Sequence, residues 1–258
     1  MRHSATLQPF RLLNPDATRP LLLICDHASA EVPPELNGLG LPEGEIRRHI
    51  GWDIGAADLT DELSRRLDAT AVLAGVSRLV IDCNRAPGHP TSICPSSDGT
   101  PIPANQALTP AQAEARAQAW YHPYQRAIAH QLERLEANGG QQATLIAIHS
   151  FTPCLKDGGC QRPWPVGILW NQDGRLAEPL IAALRSRGLT CGDNEPYSGR
   201  LANHTVDRHG QDAGRPHVSI EIRQDEISTA NGVARWAGIL AEVLGEIENN
   251  YIFGDFLF

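Results

Sequence analysis

The sequence predicts an α/β fold in which helices cover both faces of a mostly parallel or mixed sheet. Short apolar runs alternate with longer amphipathic ones along the chain, as a succession of strands and helices requires. Hydrophobic residues make up 41% of 258 and charged residues 20%, enough for a full-sized core and too apolar for a disordered chain. No repeat with a period of roughly 20–50 residues and no low-complexity linker divides the sequence, so a single domain over 1–258 is expected.

The elements follow in order. Leu21–Cys25 (LLLIC) reads as a buried strand. Ala56, Leu59, Leu63 and Leu67 recur at helical spacing. Ala71–Leu73 and Leu79–Ile81 read as two more strands. From Pro110 a long helix carries Ala117, Tyr121, Tyr124, Ile128, Leu132 and Leu135 on one stripe. Its start is marked by Thr109 as N-cap, Pro110 at the first helical position and Gln112 placed to close a capping box. Leu145–Ile148, Val166–Trp170 and Val218–Ile222 are strands. Leu176, Leu180, Ala183 and Leu184 form a helix stopped by Gly188, and Val233, Trp236, Leu240, Val243, Leu244 and Ile247 form the last. Two stretches without periodicity, Arg85–Leu108 and Phe151–Pro165, are rich in Gly, Pro and Ser; long ordered loops of that kind are often functional.

Composition removes several functions. With 30 acidic and 22 basic side chains the net charge is -8, which argues against binding nucleic acid by neutralising phosphates. No apolar run approaches the roughly 20 residues of a membrane span, and the first twenty residues lack the apolar stretch of a signal peptide, so a cytoplasmic protein is expected. The six cysteines, at 25, 83, 94, 154, 160 and 191, form no CxxC pair; Cys154 and Cys160 could meet across a loop. There is no GxSxG elbow, no GxxxxGK[ST] phosphate loop and no HExxH helix. The apolar tail YIFGDFLF reads as a segment that packs on the body or on a partner subunit, which leaves a homo-oligomer open.

Chemistry is to be sought where polar residues end or interrupt apolar strands, because open α/β sheets place ligands at strand carboxyl ends. LLLIC runs into Asp26-His27, and LIAI into His149-Ser150, so two histidines far apart in sequence could converge on one crevice. Asp53, in GWDIG, is either an N-cap for the following helix or part of such a site. SRLVIDCNR brackets an apolar stretch with Arg78 and Arg85, whose fixed forks match carboxylates: an anionic substrate, or a structural Arg–Asp network. Glu221 interrupts the apolar strand VSIEI, with Arg223 on the same face; it is either paired there or a general base tuned by burial. Two His, one Asp and a spare Glu are the residue types of a catalytic zinc site with an acid as proton shuttle.

The ordered set CDHAS (25–29), GWDIGA (51–56), SRLVIDCNR (77–85), SDGTPIP (97–103), AIHSFTP (147–153), RPWPVGILWN (162–171) and HVSIEIRQD (217–225) resembles the N-formylglutamate amidohydrolase family, in its broad branch of predicted members. The resemblance implies a three-layer α/β/α sandwich of the zinc-exopeptidase, phosphorylase/hydrolase-like kind. It implies that His27, Asp53 and His149 hold one zinc or other divalent ion, with Glu31 the reserve for the second ligand because HxxE spacing is absent. Glu221 would activate water, Arg78 polarise the scissile carbonyl or share in anion binding, and Asn84 with Arg85 grip a substrate carboxylate, Arg223 assisting. The substrate implied is a small anionic N-acyl amino acid such as N-formyl-L-glutamate, cleaved to formate and glutamate in amino-acid degradation. Alternatives are another N-acyl amino acid hydrolase, peptidase-like, or a catalytically silent anion-binding protein. No role is assigned to Cys94.

Overall fold

A computed structural model describes residues 7–42, 44–156, 162–201 and 203–252. In chain order the elements are Phe10–Leu13 (β1), Leu21–Cys25 (β2), Ala56–Leu67 (α1), Thr70–Ala74 (β3), Ser96–Ser97 (β4), Thr100–Pro101 (β5), Pro110–Arg116 (α2), His122–Gly139 (α3), Thr144–Phe151 (β6), Val166–Leu169 (β7), Ala177–Ser186 (α4), Cys191–Asp193 (β8), His204–His209 (α5), His217–Arg223 (β9) and Ala230–Ile252 (α6). Short 3-10 turns join them, and β4 and β5 make a separate hairpin.

Seven strands form one mixed sheet in the order β1-β3-β2-β6-β9-β7-β8. The four central strands, β3, β2, β6 and β9, are parallel; β1 and β7 pair antiparallel to their inner neighbours, and β8 runs with β7. Buried on both faces, the central strands need apolar side chains at every position, which is why they read as continuous runs rather than alternating ones. Leu23, Cys25, Leu73, Ile146, Ile148, Val218 and Ile220 point to the face covered by α1, α4 and α6. Leu22, Ile24, Val72, Leu145 and Ala147 point to the other, where Tyr124, Ile128, Leu132 and Leu135 of α3 pack. Three layers result, as expected.

Leu79–Ile81 corrects the sequence reading. It is a turn, not a strand: Val80 N–H bonds to Ser77 O at 2.9 Å, and Leu79, Val80 and Ile81 bury themselves in a third cluster with Leu39, Ile50, Ile102 and Tyr121. An apolar triplet needs burial but not a sheet partner, and here a separate small core supplies it. The long helix from Pro110 starts with the expected Thr109–Gln112 capping box, but it passes through a π-helical stretch, Ala117–Tyr121, before α3. Pro123 lies just beyond and has no N–H to donate to the preceding turn. Cys160 and the tail after Ile252 lie outside the described residues, and so do the readings made of them.

Candidate active site

The carboxyl ends of β2, β6 and β9 bring His27, His149 and Glu221 together. In the β6–β9 register His149 is the direct partner of Glu221, and both lie on the face that carries Ala147 and Ser219. His27 follows β2 by two residues. Asp53 reaches the same point from the turn ahead of α1. Its backbone N–H bonds to His27 O at 2.9 Å, and Gly55, at φ +81, lets the chain enter the helix where a Cβ would lie 2.2 Å from Ile227 O. Asp53 does not cap α1, whose N-cap is Gly55 without a side-chain bond.

Instead the Asp53 carboxylate faces both histidines. Oδ2 lies 2.9 Å from His149 Nδ1 and 3.3 Å from His27 Nδ1, and it accepts the Ser150 N–H at 3.2 Å. The outer nitrogens face carboxylates as well. His27 Nε2 lies 2.8 Å from Asp82 Oδ1, and His149 Nε2 lies 3.4 Å from Asp26 Oδ2. Asp26 Oδ1 accepts the Thr205 hydroxyl at 2.8 Å, and Arg78 spans Asp82 Oδ2 (2.8 Å) and Asp53 Oδ1 (3.5 Å). His27, Asp53, His149 and Glu221 are 3%, 4%, 3% and 7% exposed, so these charges interact with little screening by water.

The electrostatics follow from that enclosure. Burial opposes ionisation of Asp53, yet His27 and His149 beside it hold its carboxyl far below the usual range. Burial likewise opposes charge on His149, but Asp26 and Asp53 raise it well above an ordinary histidine. Burial pushes the Glu221 carboxyl up to about 7, against the pull of His149.

One ligand atom from each of His27, Asp53 and His149 lies within 4.8 Å of the other two. The donor set suits a divalent ion on two counts. Tetrahedral ligands at zinc's usual bond lengths stand about 3.3 Å apart, close to the 2.9 and 3.3 Å between Asp53 and the two Nδ1 atoms. Three buried carboxylates, Asp26, Asp53 and Asp82, surround the two imidazoles, and the one guanidinium, Arg78, pairs with Asp53 and Asp82; with the imidazoles neutral, as metal ligands must be, the surplus negative charge is what a divalent cation offsets. The carboxylates on the outer imidazole nitrogens are the usual supports of metal-binding histidines. Asp26 and Asp82 are the participants that sequence reasoning left without a role.

These residues form the floor of a cavity of about 490 Å³, which Asn84, Arg85, Cys94 and Tyr197 also line. Asn84 is fixed by accepting the Thr205 N–H at 2.9 Å, and the Arg85 guanidinium bonds to the Asn84 carbonyl at 2.7 Å. Two expected participants lie elsewhere. Arg223 does not line the cavity and does not pair with Glu221; its guanidinium bonds to Asp225, Glu226 and the Arg162 carbonyl, drawn to the acidic turn that follows β9. Glu31 is exposed, and its backbone carbonyl anchors Ser77.

Comparison with known proteins agrees with this fold. No curated protein matches the sequence. The chain is similar to the crystal structure of gene product Atu2144 from Agrobacterium tumefaciens, with 34% identity and a TM-score of 0.90 over 94% of this chain and 96% of that one. It shares its fold with the N-formylglutamate amidohydrolase from Ralstonia eutropha JMP134, at 22% identity and a TM-score of 0.71 over 96% of this chain and 99% of that one. The family model for N-formylglutamate amidohydrolase matches residues 19–228, which takes in every residue of the buried cluster. The chain belongs to the N-formylglutamate amidohydrolase family.

Proposed function

We propose that the protein is a metal-dependent hydrolase that cleaves the N-acyl amide of an acidic amino acid, with N-formyl-L-glutamate as the reference substrate. The observation that carries this reading is the convergence of His27, Asp53 and His149 next to Glu221, a buried carboxyl pushed up to about 7. One zinc or similar divalent ion would be held by those three side chains. Bound there, such an ion supplies Lewis acidity, which polarises a carbonyl oxygen and makes water more acidic.

The protein's own groups do the rest. Glu221 is the general base: it takes a proton from the water that attacks the acyl carbon, and it returns that proton to the departing amine nitrogen. Its raised pKa suits both halves of the transfer near neutral pH. Arg78 is held by Asp53 and Asp82 but remains 28% exposed toward the cavity, where it stabilises the oxygen that gains charge. Arg85 and the buried Asn84 hold the amino-acid carboxylate, so that the acyl carbon is presented in one orientation. Hydrolysis of the formyl substrate gives formate and glutamate.

The cavity, at about 490 Å³, favours a second reading in which a larger N-acyl group is accepted, since volumes of about 300–1,000 Å³ accommodate drug-sized ligands. The test is release of formate from N-formyl-L-glutamate, measured beside a panel of longer N-acyl glutamates, before and after chelation and on adding zinc back. Turnover that chelator abolishes and zinc restores supports the proposal. Absence of turnover on the whole panel by protein with stoichiometric bound metal overturns it.

A further inference from the structure

Two arginines, Arg85 in the cavity wall and Arg162 behind it, make no ion pair among the described residues. Arg78 is committed to Asp53 and Asp82, but the guanidinium of Arg85 bonds only to the Asn84 carbonyl oxygen, and that of Arg162 only to neutral oxygens. In a chain of net charge -8, guanidinium groups without an ion-pair partner beside such a site suit anionic groups on the ligand. Arg85 accounts for one carboxylate in the reading above. Arg162 calls for another.

Arg162 itself does not line the cavity; Tyr197 stands between. Nη1 of Arg162 donates to the Tyr197 hydroxyl oxygen at 2.8 Å and to the Thr152 carbonyl at 3.1 Å. The guanidinium carbon lies 4.9 Å from the centre of the Tyr197 ring and 5.9 Å from that of Phe151, so both cation–π contacts hold it in place. A phenol has one hydrogen to donate. Because its oxygen already accepts from a cation, that hydrogen is free to point to a ligand and is the stronger donor for it. Partial burial, and next the Glu221 charge, hold the phenol above its ordinary value, so it remains a donor at neutral pH.

The fold fixes this pair beside the reacting centre. Gly167 is the partner of Glu221 in the β7–β9 register, and a Cβ on it would lie 1.9 Å from Glu195 O. The segment leading to Tyr197 therefore lies directly against the sheet next to Glu221. Asn194, at φ +53, ties it down: its Oδ1 accepts the N–H groups of Gly199 (2.9 Å) and Trp170 (3.1 Å). Arg223 braces the other half by donating to the carbonyls of Arg162 (3.1 Å) and Pro163 (3.4 Å). Arg85 comes from the segment after β3 and Tyr197 from the segment after β8, strands on opposite sides of β2, β6 and β9.

We propose that Tyr197, backed by Arg162, is a specificity-determining residue that receives the side-chain carboxylate of an N-acyl dicarboxylic amino acid, across the cavity from the carboxylate gripped by Arg85. The inference rests on the function proposed above and names the residues that recognise the second carboxylate of its substrates. Tyr197 is 39% exposed, against 3–7% for His27, Asp53, His149 and Glu221, so it stands at the mouth and meets a part of the substrate that does not react. Its contribution therefore appears in KM rather than in kcat.

The test compares kcat/KM for N-formyl-L-glutamate and for its uncharged, nearly isosteric amide N-formyl-L-glutamine, in the wild-type zinc enzyme, Tyr197→Phe and Arg162→Gln. A hydrogen bond to a charged group corresponds to roughly ten- to hundredfold. The wild type is expected to prefer the glutamate, and the ratio of the two kcat/KM values to fall by that factor in each variant that folds, through KM. A wild type without preference, or ratios unchanged in both variants, overturns the carboxylate contact while the hydrolase reading stands. A wild type with bound metal that turns over neither compound overturns both.

Discussion

Asp82→Asn tests whether the buried cluster is built to hold a cation. The Asp82 carboxylate is 4% exposed and surrounded by donors. Oδ1 accepts from His27 Nε2 and from Asn84 N–H, each at 2.8 Å, and Oδ2 accepts from Arg78 at 2.8 Å. An amide offers one acceptor oxygen and one NH2. Turned one way it confronts Arg78 with a donor; turned the other way it confronts His27 and Asn84. Either way one charge-assisted bond is lost, about 1.5–3 kcal/mol, and the force fixing the His27 tautomer with Nδ1 toward Asp53 weakens. Loss of such a supporting carboxylate lowers metal affinity about 10–100-fold, or roughly 1.4–2.7 kcal/mol, in line with the first figure. The assay is zinc Kd by competition with a chromophoric chelator, with circular dichroism to show that the variant is folded. A folded Asp82→Asn protein whose Kd stays within about twofold of wild type refutes the argument that Asp82 orients a metal ligand.

Three further outcomes are expected. Glu221→Gln lowers kcat about 10²–10⁴-fold while elemental analysis still finds the metal, whereas His149→Ala loses it; near-normal turnover by the glutamine variant rules out Glu221 as the base. His209 is held by burial at about 4, with its Nε2 on Gln125 Oε1 at 2.7 Å. The unfolded chain then binds the proton more readily, so stability falls by about 3 kcal/mol as pH drops from 7 to 4; denaturant titrations should show this loss reduced in His209→Gln, and an unchanged pH dependence would exclude the effect. Gly167→Ala places a methyl group 1.9 Å from Glu195 O, and we expect destabilisation of about 1–3 kcal/mol together with a raised KM; an unaltered melting temperature would show that the Tyr197 segment is not held against the sheet.

The sheet and half of the site were legible because both depend on local contrasts. Central strands are apolar at every position, so LLLIC and LIAI stand out, and His149 and Glu221 stand out from such runs. Edge strands give no such signal: β1 (FRLL) is only half-buried, and β8 is three residues long. The six-residue α5 is too short to establish a period, yet it carries Thr205, which holds both Asp26 and Asn84. Leu79–Ile81 misled because an apolar triplet records burial but not what buries it. Asp26, Asp82 and Tyr197 are distinguished by the imidazole nitrogen or guanidinium that contacts each of them in the fold, and spacing along the chain carries no trace of that. Arg223 sits near Glu221 in sequence, but its partners are the acids of the turn that follows.

The turn that carries Arg78, Asp82 and Asn84 is rooted in its own small core, with Asn105 Nδ2 donating to Leu79 O at 2.9 Å and Arg116 Nη1 to Val80 O at 3.0 Å. It thus behaves as a fixed jaw, set before any ligand arrives, and closing on a guest requires little ordering of this side. The opposite jaw, Arg162 and Tyr197, comes from the segments that precede β7 and follow β8, and Arg162 ties it to the Thr152 carbonyl at the end of β6. Exchanges on that far jaw leave His27, Asp53 and His149 where they are, so the buried cluster and the selectivity of the cavity in this scaffold are free to diverge separately.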